Sequence, residues 1–551
     1  MSDQPEIRGW IDDKPLIKCK VPFERKDEFK TNIPMSKWKD DEKIWEVPLT
    51  YFPELHAMEN VNATKEVAKE YNSRHNKARY TRTEPIEGVD AELYPHQQDA
   101  VGEMLNKPRY LLAMDMGTGK TLSTIATFKE LQNQDRLKNN EQLLVVCPST
   151  LKQSWATEIK KFTELDYTII DGTPEQRRDQ WREDTPIKIV NFALLKNDPE
   201  PLDFEWGMVA LDEASYIKNA SAERTRKAKL LTAPFRYALS GTPLENDLTD
   251  LYNIFTFLDP YFFTNKYFFE QRYLKKQEMQ MGSRKFEKTV GQKNVEELKA
   301  KIQPLMFRVT KQEIAEDLPP ITEKKIQVKL KQNQRKEYNR LKEEFKQAVK
   351  EERDDIGAYI QYMHMLCDST VLLNEAESTE RLNQNLPEES PKLDALEEIL
   401  QKVRDTDQSK AIVFTKWKTM AEKISEELDG EVDHIMLHGE HSKKERQEGL
   451  EEFEESATAL VCTNIFSHGA NLQFADYVIH FDQDWNPAVS DQKTDRVHRI
   501  GQENPVVKLD IVTENSIEEN VLEKKSKKRD LFEKMIDSPS DLDKKDLLDL
   551  V

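Results

Sequence analysis

An apolar run, Tyr110-Leu111-Leu112-Ala113, leads into Met114-Asp115-Met116-Gly117-Thr118-Gly119-Lys120-Thr121, and a helix-compatible segment beginning Leu122-Ser123-Thr124-Ile125 follows. No other stretch restricts the fold so tightly. A buried strand, a glycine-bearing loop and a helix start, in that order, build a phosphate cradle: the first N–H groups of a helix lack intrahelical partners and its dipole favours negative charge. Gly117 and Gly119 let the backbone turn sharply and aim N–H groups at a β-phosphate, with Met116 and Thr118 completing the loop. Lys120 belongs against the β- and γ-phosphates, and the Thr121 hydroxyl on Mg²⁺. Met114 stands where the general loop pattern wants glycine. The rest of the chain must supply what such a loop lacks: a water activator, an arginine, and something to move.

A chain of 551 residues suggests three or four domains, each large enough to bury its own core. Hydrophobic content of 37% with 33% charged residues fits a soluble globular protein. The polar, acidic start, Met1-Ser2-Asp3-Gln4-Pro5-Glu6, does not read as a signal peptide, and no apolar run reaches membrane-spanning length. Cys19, Cys147, Cys367 and Cys462 form no paired spacing. That argues against zinc and disulfides and for a reducing cytosol or nucleoid, and the compact layout suggests that of a bacterium or a virus-infected host. The net charge of −20 disfavours a protein that merely coats nucleic acid. A motor gripping one groove needs only a locally basic cleft.

Residues 1–87 read as a small α+β module. Ile33 to Trp38 and Lys43 to Pro48 flank the turn-like Lys39-Asp40-Asp41-Glu42, which predicts a β-hairpin, and Ala57 to Ala78 reads as a polar helix. Trp38 and Trp45, seven apart, need not share a face; they are either core residues or part of a nucleic-acid-contacting hairpin. Over 88–260, apolar runs at 143–147, 187–190, 208–211 and 237–239 alternate with helical segments, the rhythm of a doubly wound parallel sheet. Lys120, Asp212 and Ser240 all fall at the carboxyl ends of such strands, where these sheets bind ligands. Residues 261–390 read as a helical insertion and linker, with a loop over Gln277 to Gln292, a helix carrying Tyr338, Leu341, Phe345 and Val349, and a polar linker from Glu375 to Pro391. A second α/β rhythm over 391–515 has strands at 411–414, 434–437, 459–462, 477–480 and 506–509, and no second phosphate loop. Residues 516–551 read as a charged helix, roughly Ser516 to Ile536, and an acidic tail. His434, His438 and His441 read as strand-end histidines rather than a metal site.

Strand-final Asp212-Glu213 is the natural second half of the phosphate site: Asp212 would hold Mg²⁺ through water, and Glu213 would orient and deprotonate the attacking water. Phosphoryl transfer also needs positive charge on the γ-phosphate. Arg496 and Arg499 are three apart, hence on one helix face, and either suits that task. The alternative for this pair is a salt-bridged surface helix. Gln97, in Tyr94-Pro95-His96-Gln97-Gln98, can both donate to and accept from an adenine edge.

Gln97, Gly117 to Thr121, Asp212-Glu213, Ser240-Gly241-Thr242-Pro243, Arg496 and Arg499 match the ordered motifs of superfamily-two helicases. More narrowly, the chain resembles the Swi/Snf family of double-stranded-DNA translocases. Ile217-Lys218-Asn219, Leu239 to Asn246, Phe307-Arg308-Val309-Thr310-Lys311 with Leu318-Pro319-Pro320, and Asp484-Trp485-Asn486-Pro487 with His498 to Gln502 carry that likeness. It extends from about Leu93 to Leu522. The resemblance implies two RecA-like lobes with a helical insertion, ATP with Mg²⁺ bound between them, and movement along duplex DNA that remodels complexes or branch points, so the partner expected is double-stranded or branched DNA. It implies that Ser240 and Thr242 couple hydrolysis to lobe movement. It also implies that Lys152, Trp155, Thr415, Lys416, Thr463 and Asn471 lie along the DNA, with Trp485 either there or packed. The N-terminal hairpin is faintly similar to the accessory domain of annealing helicases related to HepA, which binds branched DNA. Two departures stand out: Ala214-Ser215 replaces the Gly-His that commonly follows the acidic pair, and the stretch around His468-Gly469-Ala470-Asn471 is poorer in glycine than the family's. Neither removes a phosphate or metal ligand. The expected activity is DNA-stimulated ATP hydrolysis with translocation on duplex DNA. The alternatives are a strand-separating fork or RNA helicase, and an ATP-gated clamp with negligible hydrolysis.

Overall fold

The computed structural model describes residues 5–12, 14–75, 85–138, 141–219, 222–241, 248–281, 284–314, 318–351, 356–374, 376, 386–406, 408–464, 472–484, 487–502 and 504–522. The chain divides between Ile314 and Ala315 into two compact units.

The first unit opens with a five-stranded sheet built from β1 (Ile7–Ile11), β2 (Leu16–Lys20), β3 (Lys37–Lys39), β4 (Ile44–Pro48) and β5 (Val61–Ala63), in the order β3-β4-β2-β1-β5. The hairpin expected around the acidic turn is β3–β4. Its register sets Trp38 directly opposite Trp45, with ring centroids 5.3 Å apart. A separation of seven across this hairpin thus places both rings on one face, a point that spacing alone left open. Trp45 is in the core and Trp38 is 41% exposed. The helix expected over Ala57 to Ala78 is interrupted. Asn60 takes a positive φ of 51°, and β5 then pairs in parallel with β1 before a helix resumes at Lys65–His75. Pairing with the open edge of β1 outweighs local helix propensity there.

This module is fastened to the helices Lys266–Tyr273 and Val295–Ile302. The Tyr51 and Tyr273 hydroxyls each donate to Glu297 Oε1 at 3.0 Å, and Arg272 binds the other carboxylate oxygen. Lys301, buried, donates to Thr50 O at 3.1 Å and Glu54 Oε1 at 2.5 Å.

Next come β6 (Arg109–Met114), β7 (Leu143–Cys147), β8 (Tyr167–Ile169), β9 (Ile187–Asn191), β10 (Met208–Asp212) and β11 (Phe235–Leu239). They are followed by β12 (Leu274–Met281), β13 (Arg284–Gln292) and β14 (Met306–Val309). Seven of these form a parallel sheet in the order β14-β6-β11-β10-β7-β9-β8. Its central strands are buried along their whole length, which is why they read as unbroken apolar runs. The segment expected as a loop over Gln277 to Gln292 instead forms the antiparallel pair β12–β13. Its charged strands carry no apolar alternation to announce them.

The second unit holds a six-stranded parallel sheet, β15-β20-β19-β16-β18-β17. Its strands are β15 (Ile321–Val328), β16 (Ala411–Phe414), β17 (His434–Leu437), β18 (Ala459–Cys462), β19 (Tyr477–His480) and β20 (Val506–Thr513). The stretch expected as one helical insertion therefore gives β14 to the first sheet and β15 to the second. On the helix Gln332–Lys350, Tyr338, Leu341, Phe345 and Val349 are buried against the helix Ile356–Asp368. Most of the expected linker, and the final helix beyond residue 522, lie outside the described residues. Each unit contains a RecA-like α/β lobe. Among the described residues no helix is long and apolar enough to cross a membrane.

A charged cluster locks the second unit. Lys392 Nζ donates to Asp368 Oδ1 at 2.8 Å, Glu518 Oε1 at 2.5 Å and Phe481 O at 2.9 Å, and all three charged side chains are fully buried. Burial opposes the Lys392 charge, but the two carboxylates outweigh it and hold the ammonium protonated well above its usual range. Lys392→Met should destabilise this unit by about 3–5 kcal/mol, because it leaves two buried carboxylates facing each other. Denaturant unfolding followed by the fluorescence of Trp417, whose Nε1 donates to Asp368 Oδ2 at 2.9 Å, checks this.

Candidate active site

Three neighbouring strands of the first sheet, in the order β6-β11-β10, end at Met114, Leu239 and Asp212. From Met114 the chain enters the glycine loop, and the helix Lys120–Asn133 begins directly after it. Gly117 and Gly119 hold φ of 78° and 91°. A Cβ on Gly119 would also lie 2.0 Å from Gln97 Nε2, so conformation and space both demand glycine there. Gln97 donates from Nε2 to Thr118 O at 3.2 Å and accepts from Tyr94 N at 3.1 Å, while the His96 ring Nε2 lies 2.9 Å from the same Thr118 oxygen. Gln97 thus braces the loop, with both ends of its amide engaged by protein atoms. Lys120, 8% exposed, donates to Met114 O at 2.9 Å and Asp115 O at 3.1 Å. Its ammonium lies inside the curve of the loop, and half-buried Thr121 follows at the first turn of the helix.

Asp212, buried, accepts from Trp155 Nε1 at 2.8 Å through Oδ2 and from Glu213 N at 2.9 Å through Oδ1. Glu213 takes φ 51° and ψ 58°, a left-handed backbone costing a non-glycine residue about 1–2 kcal/mol. Strain of this kind clusters at functional sites. Ser240, fully buried, donates from its N–H to Leu112 O at 3.1 Å. The chain then passes the loop so closely that a Cβ on Gly241 would lie 3.2 Å from Met116 Cγ. Thr242 lies outside the described residues.

This gathering fits a magnesium-bound nucleoside triphosphate. Two left-handed glycines and a fourteen-residue helix offer N–H groups to an anion, Lys120 supplies charge, and Asp212 presents a carboxylate held rigidly by Trp155 and the Glu213 amide. Trp155 was not readable as the partner of Asp212, since the contact joins residues 57 positions apart.

Of the residues expected along DNA, the five described ones are buried or bonded within their own unit. Lys152, Trp155, Ala156 and Ile159 share the buried face of the helix Lys152–Phe162. Trp155 is 1% exposed and cannot present its ring to a strand. Lys152 is directed to Ile170 O at 3.0 Å and to Asp171 at 3.1 Å. In the second unit, Thr415 is fully buried and donates to Asp482 Oδ2 at 2.7 Å. Lys416 donates its N–H to that same oxygen at 2.7 Å and its ammonium to Gln483 O. Thr463 is buried at the end of β18. Asn471 and Trp485 lie outside the described residues.

Arg496 and Arg499 do not share a helix face. The helix Pro487–Thr494 ends before them, and bonds three residues back, from Arg496 N to Lys493 O and Val497 N to Thr494 O, tighten the chain into turns. Arg496 is buried and Arg499 half-buried. In the same segment the His498 ring Nε2 lies 2.8 Å from Pro319 O, and Lys493 pairs with Asp484 at 2.6 Å.

Compared with models of known families, residues 66–382 match the SNF2-related domain and residues 391–501 the helicase conserved C-terminal domain. A putative ATP-dependent helicase/translocase of Bacillus subtilis is 31% identical over 444 residues, 78% of this chain and 46% of its own. An uncharacterized ATP-dependent helicase of Mycoplasma pneumoniae is 31% identical over 458 residues, 80% of this chain and 42% of its own. The chain thus spans less than half the length of these relatives. The solved SWI2/SNF2 ATPase core of Sulfolobus solfataricus in complex with dsDNA is 29% identical, covering 86% of this chain and 99% of that one at a TM-score of 0.41. With one family model matched over more than half its length and a second directly after it, the chain belongs to the SNF2/SWI2 family of superfamily-two, helicase-like ATPase cores.

Proposed function

We propose that the chain hydrolyses ATP with Mg²⁺ and uses the energy to translocate on double-stranded or branched DNA, remodelling DNA or the complexes on it. The observation that carries this reading is the gathering of Lys120, Asp212, Glu213 and Ser240 at the carboxyl ends of adjacent strands. In this reading the loop N–H groups and Lys120 bind the phosphates, and Thr121 and Asp212 hold the Mg²⁺ that arrives with the nucleotide. Glu213 orients the attacking water and takes its proton. Hydrolysis takes place between the two lobes, where Arg496 and Arg499 stabilise the charge developing on the γ-phosphate. Ser240 and Thr242 transmit the change to lobe movement. DNA contacts that need no sequence are made to phosphates. Buried Trp155 supports the site from within through its bond to Asp212, and Trp38, 41% exposed on the hairpin, is an aromatic available to a branch.

Steady-state ATP hydrolysis with Mg²⁺, measured alone and with duplex, single-stranded or forked DNA or RNA, tests the proposal. Plain duplex should raise turnover at least about tenfold, a coupling of ordinary size between two sites. A further rise with forks, lost in Trp38→Ala, would assign branch recognition to the β3–β4 hairpin. Stimulation by single strands or RNA alone would replace translocation with strand separation. Absence of hydrolysis would leave the ATP-gated clamp.

A further inference from the structure

The strand β14 is pinned beside the phosphate loop at both of its ends. It pairs in parallel with β6, Val309 standing opposite Met114. Before it, Lys107, 1% exposed, donates to Pro304 O at 2.9 Å. After it, Asp115 makes two bonds: its N–H donates to Val309 O at 3.0 Å, and its Oδ2 accepts from Lys311 N at 2.9 Å. The carbonyl of the same Asp115 accepts from Thr118 Oγ1 at 2.7 Å and from Lys120 Nζ at 3.1 Å. One residue therefore holds the loop with its carbonyl and the segment 309–311 with its amide and carboxylate. That segment runs on, in chain order, to the point where the second unit begins.

We infer that Asp115 is a positioning residue whose bond to the Lys311 amide ties the conformation of the nucleotide loop to the segment joining the two units. This rests on the reading that the chain is a DNA-stimulated ATPase. The physical ground is geometric. A change in how Lys120 sits alters the carbonyl side of Asp115, and the carboxylate side cannot follow without moving the 309–311 backbone, because Lys107 and the β6 pairing leave the strand no slack. A side chain that only packed the loop would not need to accept a hydrogen bond from a backbone amide 196 residues away.

The test uses the full chain and both sides of the bond. Asp115→Ala removes the acceptor, and Lys311→Pro removes the donor, since proline has no N–H. Each should lower the ratio of duplex-stimulated to DNA-free hydrolysis by about tenfold, and the double variant should fall no further than either single, as a shared interaction requires. The loss should appear in the stimulated kcat rather than in the dissociation constant of a fluorescent ATP analogue. Asp115→Asn keeps an acceptor oxygen and should recover most of the ratio, which decides the matter even if Lys311→Pro fails to fold. A wild-type ratio in Asp115→Ala, or losses that multiply in the double variant, would overturn the inference while leaving the ATPase reading intact. An unmodified chain that duplex does not stimulate would overturn both.

Discussion

A Glu213→Gln protein is expected to bind MgATP about as well as the unmodified chain and to hydrolyse it roughly 10²–10⁴-fold more slowly, the range supplied by a positioned general base. The substitution keeps the volume of a side chain that is 3% exposed and leaves the backbone at φ 51° untouched. What it removes is the carboxylate that takes a proton from water. Asp212 keeps both of its donors, since Trp155 Nε1 and the residue 213 amide bind it regardless of the side chain at 213. Binding and turnover are thus separable here. Equilibrium titration with a fluorescent nucleotide and a single-turnover hydrolysis assay measure the two quantities. Hydrolysis at the unmodified rate would remove Glu213 from the reaction and pass the role of base to another group.

The framework of the two lobes was legible because buried parallel strands are short, apolar and punctuated. The strands at 143–147, 411–414, 434–437, 459–462 and 477–480 coincide with observed elements. The glycine loop was legible for a different reason: its positive-φ positions accept little but glycine, so conformation leaves a mark on residue type. Elements whose reason for existing is a distant partner were not. β14 and β15 are short or charged, and each is a strand only because β6 or β20 offers an edge. The β12–β13 pair carries no apolar period at all. Trp155 matched a motif, yet it lies on a helix and the residue it serves, Asp212, ends a strand 57 positions away, and neither spacing nor composition records that bond. The two arginines show the opposite error. A three-residue spacing does suggest one helix face, but Thr494 ends the helix first, and a local rule cannot see where tertiary packing stops an element.

Lys120→Ala should also slow hydrolysis by orders of magnitude, by a different route from Glu213→Gln. Lys120 brings the cation into the loop, and its Nζ is already directed inward, to Met114 O and Asp115 O. Loop N–H groups and the helix start still offer partial positive charge to a phosphate without it. A charged hydrogen bond contributes about 1.5–3 kcal/mol, so ground-state affinity for ATP should fall roughly 10- to 150-fold. Turnover should fall further, by another factor of about 10²–10³, because charge on the γ-phosphate grows toward the transition state and a preorganised donor matters most there. Lys120→Arg should not rescue it. A planar fork needs room that a site with this side chain 8% exposed does not offer. Weak binding with no turnover in Lys120→Ala, beside tight binding with no turnover in Glu213→Gln, would assign phosphate capture to the loop and water activation to the strand end. Hydrolysis by Lys120→Ala within tenfold of the unmodified chain would mean that the loop holds its anion through backbone groups alone.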